Sequence, residues 1–174
     1  MRQDSAKPQP RAPLYTPEQR LRRDASGWTL VQGLLAPVQF LVFLTSLALV
    51  LRYLDSGAGE TAATISVVVK TLTLYLIMIT GAIWEKVVFG RYLFAPAFYW
   101  EDVFSMLVLA LHTAYLVALA TDSLGVTGRM ELALAAYLAY VINAGQFVLK
   151  LRAARLDQAR SSVGAGRTPM VVAE

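Results

Sequence analysis

Four long apolar segments constrain the fold of this chain more than any other feature of its sequence. They cover residues 28–51, 61–84, 103–120 and 130–149. Each is close to the roughly 20 apolar residues that an α-helix needs to cross the hydrocarbon core of a bilayer. Within a bilayer, only helices and closed barrels satisfy all their backbone hydrogen bonds. We therefore predict an all-α integral membrane protein, built as a bundle of four transmembrane helices.

The composition supports this class and limits the chemistry. Only 16% of the residues are charged, whereas a soluble domain usually carries about a quarter. The chain has no cysteine, which excludes disulfides, thiolate metal sites and cysteine nucleophiles. The flanking residues 1–15 and 157–174 contain no apolar segment, and we expect a disordered arm and a disordered tail around one membrane domain at 16–156.

The basic residues predict the orientation of the bundle. Of the sixteen Lys and Arg residues, thirteen lie in the N-terminal arm, in the joint at 85–102 or in the C-terminal segment. The other two joints hold only Arg52 and Arg129, and Lys70 lies inside the second apolar segment. Basic residues are concentrated on the cytoplasmic side of membrane proteins. We therefore expect both termini and the 85–102 joint in the cytoplasm.

A short basic helix is predicted just before the first span. Thr16 can cap it, Pro17 suits its first position, and Gln19 completes a capping box. Its arginines favour binding to anionic lipid headgroups, at roughly 1 kcal/mol for each nearby Arg. The alternative is that they only set the topology.

Polar side chains within the spans lie mostly toward the predicted cytoplasmic side. Lys70, His112 and Gln39 fall near the middle of the membrane, by a rise of about 1.5 Å per residue. Those closer to the cytoplasm are Gln32, Asn143, Gln146, Glu85, Glu101 and Asp102. Because polar groups in a bilayer usually face the interior of the bundle, we expect a polar pocket that opens inward.

Helical phase relates these groups to one another. One face of the third span carries Glu101, Ser105, Val108 and His112. One face of the second span carries Lys70, Leu74, Ile77, Gly81 and Glu85. If these two faces meet, they enclose a cavity with a carboxylate at its mouth, between the second and third spans and beneath the 85–102 joint.

Structural interpretations of the same residues stay open. His112 can simply bind a neighbouring helix, and Lys70 can pair with a carboxylate. Tyr92, Tyr99 and Trp100 are typical of the aromatic belt at a membrane interface.

No motif of a soluble enzyme is present, neither a phosphate-binding loop nor a dinucleotide fingerprint. Three stretches nevertheless resemble the 2-vinyl bacteriochlorophyllide hydratases of bacteriochlorophyll biosynthesis. They are LYTPEQRLRRDASGWTLVQGLLAPVQFLVFL near the start, YLIMITGAIWEKVVFGRYLFAPAFYWEDVFSMLVLALHTAYL in the middle and AAYLAYVINAGQFVLKLRAARL near the end. The resemblance covers about residues 14–156.

The resemblance implies a lyase that adds water to the C3-vinyl group of a chlorophyllide, giving a 1-hydroxyethyl group. It implies no cofactor, because the tetrapyrrole substrate carries its own magnesium. The implied partners are this pigment, membrane lipid and other enzymes of the pathway, with no nucleic acid. The implied location is the bacterial inner (intracytoplasmic) membrane.

Site residues follow from that chemistry together with depth and phase. Protonation of the vinyl group needs an acid, and a partly desolvated carboxyl group is suitable. The acid candidates are Glu85, Glu101 and Asp102. His112 is a candidate base that positions water, or an axial ligand of the substrate magnesium. The candidates for binding the substrate are Lys86 and Arg91 for a propionate, and Tyr99, Trp100, Asn143 and Gln146 elsewhere on the pigment.

Two other functions stay open. A non-catalytic pigment carrier or assembly factor for photosynthetic complexes would use the same pocket without an acid. A small transporter or channel is disfavoured, because the polar groups thin out toward the predicted outer side and the halves show no inverted repeat.

Overall fold

The computed structural model describes residues 14–165, with side chains through residue 156, and this part of the chain forms five α-helices. They are α1 (Pro17–Ala25), α2 (Gly27–Ser56), α3 (Glu60–Phe89), α4 (Tyr99–Ala120) and α5 (Val126–Ala165). Four of them, α2 to α5, are long and apolar enough to cross a membrane. The all-helical class is confirmed, and each of the four apolar segments lies in a helix that is long and apolar enough to cross a membrane.

The helices are longer than the apolar segments because backbone chemistry, rather than hydropathy, sets where they end. α2 continues through polar residues to Ser56 and stops at Gly57, whose φ of 69° is left-handed. α3 stops in the same way at Gly90, with a φ of 81°. Glycine adopts this conformation without steric cost, and its N–H closes the last turn.

The joint between the second and third spans is correspondingly short. Sequence analysis placed it at 85–102, whereas α3 and α4 leave only residues 90–98 between them. Glu85 therefore lies near the end of α3, and Glu101 and Asp102 lie in the first turn of α4. All three candidate acids are carried by helices, which restrict their positions more tightly than a loop would.

The predicted arm and tail fall largely outside the described residues. Of residues 1–15, only Leu14 and Tyr15 are described, and Tyr15 is buried against the aromatic rings of Phe89 and Phe98. At the other end, the backbone of α5 continues to Ala165, past the predicted boundary at residue 156. No glycine or proline interrupts residues 157–163 of this continuing helix.

The helix α1 is capped as the sequence predicts. The backbone N–H of Gln19 donates to Thr16 Oγ1 at 3.2 Å, and the N–H of Thr16 donates to Gln19 Oε1 at 2.9 Å. α1 packs against α3, and only Ser26 separates it from α2. Its direction relative to the bundle is therefore closely restrained.

The four long helices pack as two hairpins. α2 lies along α3 and α4 lies along α5, and these two pairs share the most extensive contacts. The main apolar core lies toward the α2–α3 turn, around Phe43, Val67 and Tyr137. Large apolar side chains such as Leu41 and Leu138 remain exposed on the outside. That surface suits a lipid environment.

A buried hydroxyl cluster joins the two hairpins. Ser46 of α2 shares hydrogen bonds with Tyr137 of α5, at 2.5 Å, and with Ser66 of α3, at 2.7 Å. Ser46 has no exposed surface. Interhelical hydrogen bonds of this kind contribute roughly 0.6–2 kcal/mol each in membrane proteins.

We expect Ser46→Ala to lower the free energy of unfolding by about 1–2 kcal/mol, because it removes both hydrogen bonds at a buried position. Thr45→Ala is the matched control, since Thr45 is exposed and its hydroxyl donates only to Leu41 of its own helix. The measurement is the unfolding midpoint of the purified protein in detergent. Equal midpoints for the two variants would contradict this role of the hydroxyl cluster.

Candidate functional site

A cavity of about 770 Å³ occupies the end of the bundle away from the main core. This volume is within the roughly 300–1,000 Å³ typical of small-molecule sites. Its walls are mostly apolar and come from α2, α3 and α5, and α1 borders its mouth. The polar and charged residues in the wall are Arg20, Arg23, Thr29, Gln32, Gln39, Glu85, Asp102, Ser105, Asn143 and Arg155.

The helices that form the cavity differ from the expected pair. Sequence analysis placed the site between the second and third spans, α3 and α4. Of the residues of α4, only Asp102 and Ser105 belong to the wall, whereas α2, α3 and α5 each contribute several residues. The reason is the hairpin pairing, because α4 packs mainly on α5 and contacts α3 much less.

Two of the candidate acids meet at the wall of the cavity. The carboxyl groups of Glu85 and Asp102 lie within hydrogen-bonding reach of each other. Each also accepts a backbone N–H from the 90–98 joint, Glu85 from Ala95 at 3.3 Å and Asp102 from Phe94 at 2.7 Å. Glu85 is 6% exposed and Asp102 is 4% exposed. The joint thus covers the pair and holds both side chains in place.

The third candidate acid is engaged elsewhere. Glu101 accepts a hydrogen bond from Lys150 of α5, with 2.6 Å between Nζ and Oε2. Glu101 is not among the described residues that line the cavity. Adjacent residues on a helix point about 100° apart, so Asp102 turns toward α3 while Glu101 turns toward α5.

Asn143 contributes a polar group to the wall opposite α3. Its Nδ2 donates to Ser105 Oγ at 2.8 Å, and its buried Oδ1 has no hydrogen-bond partner among the described residues. Gln146, the other predicted amide on α5, is partly buried and is not in the described lining of the cavity.

His112 and Lys70 are fully buried deeper in the bundle. His112 Nδ1 is 2.8 Å from the carbonyl oxygen of Val108 in its own helix, and its ring packs near that of Tyr137. The Lys70 ammonium lies 3.8 Å from the centre of the Tyr140 ring. Neither residue is part of the cavity wall as described, although Tyr140, which Lys70 contacts, is.

Four residues of the predicted 85–102 joint were expected to bind the substrate, and they also lie outside the described wall of the cavity. Lys86 donates to the carbonyl of Gly90 at 3.0 Å, and Arg91 is exposed. Tyr99 and Trp100 are 47% and 67% exposed. The aromatic side chains that do reach the cavity are Tyr15, Trp84, Phe98 and Phe147, together with Phe40 and Tyr140.

Sequence analysis missed the arginines at the mouth of the cavity. Arg20 and Arg23 come from α1, and Arg155 comes from the C-terminal part of α5. The sequence signal was visible but was attributed to topology and lipid binding, which arginines beside a span commonly serve.

Thr29 and Gln32 were also missed as site residues, and both bind α3. Trp84 Nε1 donates to Thr29 Oγ1 at 2.9 Å, and Gln32 Nε2 donates to Thr80 Oγ1 at 2.7 Å.

Comparison with known proteins gives consistent results. Residues 15–153 match the model of the family described as 2-vinyl bacteriochlorophyllide hydratase (BCHF). A protein of that name from Cereibacter sphaeroides is 68% identical over 148 residues, which cover 85% of this chain and 92% of the relative. Another from Rhodobacter capsulatus is 64% identical over 157 residues, which cover 88% of this chain and 90% of the relative. No solved structure matches significantly.

The family match covers α2, α3 and α4 in full, α5 as far as residue 153, and every described residue of the cavity wall except Leu14, Ala154 and Arg155. Both relatives are matched over nearly their full length. This chain belongs to the 2-vinyl bacteriochlorophyllide hydratase family.

Proposed function

We propose that this chain adds water to the vinyl group of a bacteriochlorophyllide-type tetrapyrrole bound in the cavity. The names of the two relatives supply the reaction. The observation that carries the proposal is the contact between Glu85 and Asp102 at the wall of a large apolar cavity. An apolar cavity suits a flat macrocycle, and the carboxyl pair suits acid catalysis. No separate cofactor is needed, because the pigment brings its own magnesium.

The reaction requires one proton and one water molecule. A proton is added to the terminal vinyl carbon, and the macrocycle delocalises the positive charge that forms on the inner carbon. Water then bonds to the inner carbon and releases a proton, so the sum is addition of H and OH. Glu85 and Asp102 hold one proton between them, because two adjacent carboxylates would repel each other. The pair donates that proton and is restored by the proton that the water releases.

We propose that Asn143 helps to position the attacking water. Its Oδ1 is a buried acceptor with no partner in the described part of the chain, and Ser105 fixes the other end of its amide. Ser105 also lies one helical turn beyond Asp102 on α4. A water molecule that donates to Asn143 would therefore lie on the same side of the cavity as the acid pair.

We expect Glu85→Gln and Asp102→Asn each to lower kcat by about 100-fold or more, the usual contribution of a general acid. The measurement is the rate at which the absorbance of the 3-vinyl pigment is lost when the pigment is incubated with detergent-solubilised protein. Asp55→Asn is the matched control, since Asp55 is exposed at the far end of α2. Loss of activity in Glu101→Gln, with both members of the pair dispensable, would assign the acid to Glu101 instead.

The arginines at the mouth suit the carboxylate edge of the pigment. Arg155 is exposed in the C-terminal part of α5, and Arg20 is partly exposed on α1. Arg23 is held by Asp24 at 2.8 Å and by the ring of Tyr15, 4.8 Å from its guanidinium carbon. A guanidinium group binds a carboxylate with directed, charge-assisted hydrogen bonds. We propose that Arg20 and Arg155 bind the propionate.

We expect Arg155→Gln to raise KM by about tenfold or more and to leave kcat nearly unchanged, because a contact to the propionate is made equally before and during the reaction. Steady-state kinetics with the free acid and its methyl ester are the measurement, and the ester should show little response to the substitution. Arg91→Gln is measured in parallel, because Arg91 was the propionate-binding candidate predicted from the sequence. An effect confined to Arg91 would place the propionate at the joint instead.

We propose that the mouth of the cavity faces the cytoplasm in the bacterial inner membrane. The mouth is bordered by α1 and the C-terminal part of α5, and eleven of the sixteen basic residues lie either up to Arg23 or from Lys150 onward. The positive-inside rule supports that side, and α1 would then lie at the headgroups. Other enzymes of the pathway would exchange pigment with the protein from there.

Reporter fusions test this orientation. Fusion of a reporter that is active only in the cytoplasm should give signal at the C-terminus and within residues 90–98, and none at residues 57–59 or 121–125. A reporter active only outside the cytoplasm should give the reverse pattern. Signal of the second reporter at the C-terminus would overturn the orientation.

A non-catalytic pigment carrier remains the second candidate. The hydrogen bonds from Ala95 and Phe94 favour it, because they let Glu85 and Asp102 serve only to hold the 90–98 joint, and a carrier needs no acid. Incubation of purified protein with a 3-vinyl chlorophyllide separates the two functions. A gain of one water molecule by mass supports the hydratase, and bound but unchanged pigment supports the carrier.

A further inference from the structure

One side of the cavity is open toward the outside of the bundle. The wall residues that come from α3 and α4 are all buried or half-buried. Those that come from α2 and α5 include exposed residues, and Val148 is 64% exposed. The exposed wall residues are Gly33, Ala36 and Phe40 on α2, and Val148, Leu151 and Arg155 on α5. A side chain that lines a cavity and is also mostly exposed stands at its rim, so the cavity opens between α2 and α5.

The two hairpins also face each other along α3 and α4, and that side is closed at two levels. Tyr75 and Thr113 share a hydrogen bond of 2.8 Å between their hydroxyl oxygens. The carboxyl groups of Glu85 and Asp102 meet further along the same side. The part of α3 that lines the cavity runs from Leu74 to Glu85, so these two contacts lie at its two ends. A molecule that entered between α3 and α4 would have to break them.

The side between α2 and α5 is held together only at the end of the cavity nearest the main core. Phe43 packs on Tyr140 with 5.0 Å between ring centres, and Ser46 binds Tyr137. Along the rest of the cavity, the polar side chains of α2 and α5 bind other helices. Thr29 and Gln32 bind α3, whereas Asn143 and Lys150 bind α4. Among the described residues, no hydrogen bond or ion pair therefore closes the opening between α2 and α5.

The rim of this opening is apolar and has free space beside it. A Cβ atom added at Gly33 would meet no atom within 4 Å. Leu34 and Leu149, next to the rim on the two helices, are 60% and 68% exposed. Side chains of this kind are as apolar as lipid tails. The opening therefore faces lipid, whereas the mouth of the cavity is bordered by arginines.

We propose that the tetrapyrrole enters the cavity from the lipid, edge first, through the opening between α2 and α5. A slot between two helices is long and narrow, which suits a flat macrocycle, and the apolar rings stay out of water along this route. Pro37 lies beside the rim and cannot donate to the carbonyl of Gly33, which makes α2 easier to bend there. The proposal rests on the proposed function for the identity of the molecule that enters.

The exchange rate of a pigment that cannot react tests this route. The probe is a chlorophyllide whose 3-vinyl group is reduced to ethyl, so that it binds but takes up no water. Its association and dissociation rates are measured by the absorbance shift after mixing with the protein in lipid nanodiscs. We expect Gly33→Phe and Ala36→Phe to slow both rates by about tenfold or more and to leave Kd nearly unchanged, because bulk in an entry route raises the barrier in both directions.

Gly145→Phe is the matched control for these variants. Gly145 lies on α5 outside the described wall, and a Cβ atom added there also meets no atom within 4 Å. This variant should keep the wild-type rates. Wild-type rates in both rim variants would overturn the proposal, and so would a raised Kd with unchanged association, which would place the two side chains in the bound pigment's position.

Residues across the opening can be paired by their level in the bundle. Phe43 of α2 contacts Tyr140 of α5, and the two helices run in opposite directions. Ala36 lies seven residues before Phe43, and Phe147 lies seven residues after Tyr140. Ala36 and Val148, the exposed neighbour of Phe147, therefore stand at about the same level on the two sides of the rim.

A reversible cross-link at this level is a second test that needs no bulky side chain. The chain has no cysteine, so Ala36→Cys with Val148→Cys supplies its only two thiols. Linking them with a bismaleimide that has a disulfide in its spacer should stop exchange of the probe, and reduction of the spacer should restore it. Tyr75→Cys with Thr113→Cys is the control, because a link there replaces a hydrogen bond that already closes that side. Arrest of exchange by the control link alone would assign entry to α3 and α4 and overturn the proposal.

Hydration of a 3-vinyl chlorophyllide distinguishes failure of this proposal from failure of the proposed function. A protein that adds water, and adds it at the same rate when Ala36→Cys is linked to Val148→Cys, would retain the hydratase function and lose the lateral route. A protein in which that link stops exchange, but which adds no water, would retain the opening as that of a pigment carrier.

Discussion

Hydrogen bonds between helices determine this structure, because a polar side chain inside a bilayer has no water to bind. In the first hairpin, Thr29 and Gln32 of α2 are tied to Trp84 and Thr80 of α3. In the second hairpin, Ser105 of α4 is tied to Asn143 of α5, and the Glu101–Lys150 ion pair adds to it. At the far end, Ser46 and Tyr137 join the two hairpins. The cavity lies between these two internally tied hairpins, at the end of the bundle opposite Ser46 and Tyr137.

The all-helical class and the four spans were predictable from hydropathy, since apolar length alone decides whether a helix can cross a bilayer. The neighbours of each helix were not predictable, because the outer and inner faces of these helices are similarly apolar. Glu101 and Asp102 show the difficulty. They are adjacent in the sequence and equally plausible as acids, yet only the rotation of α4 in the bundle decides that one meets Lys150 and the other meets Glu85.

The missed residues were hidden by rules that explained them in another way. Arg20, Arg23 and Arg155 fit the positive-inside rule so well that no further role was required. Conversely, Tyr99 and Trp100 were conspicuous by type, whereas the structure exposes their side chains in the first turn of α4.

The apolar outer surface of the bundle has a consequence for how the reaction must be measured. A pigment that dissolves in the bilayer meets the protein there, so the quantity that governs how much pigment the protein binds is the number of pigment molecules per lipid. Adding lipid or detergent at constant pigment and constant protein will slow the reaction by surface dilution. Michaelis constants expressed per volume will therefore vary with the amount of membrane, while those expressed as a mole fraction will agree between preparations.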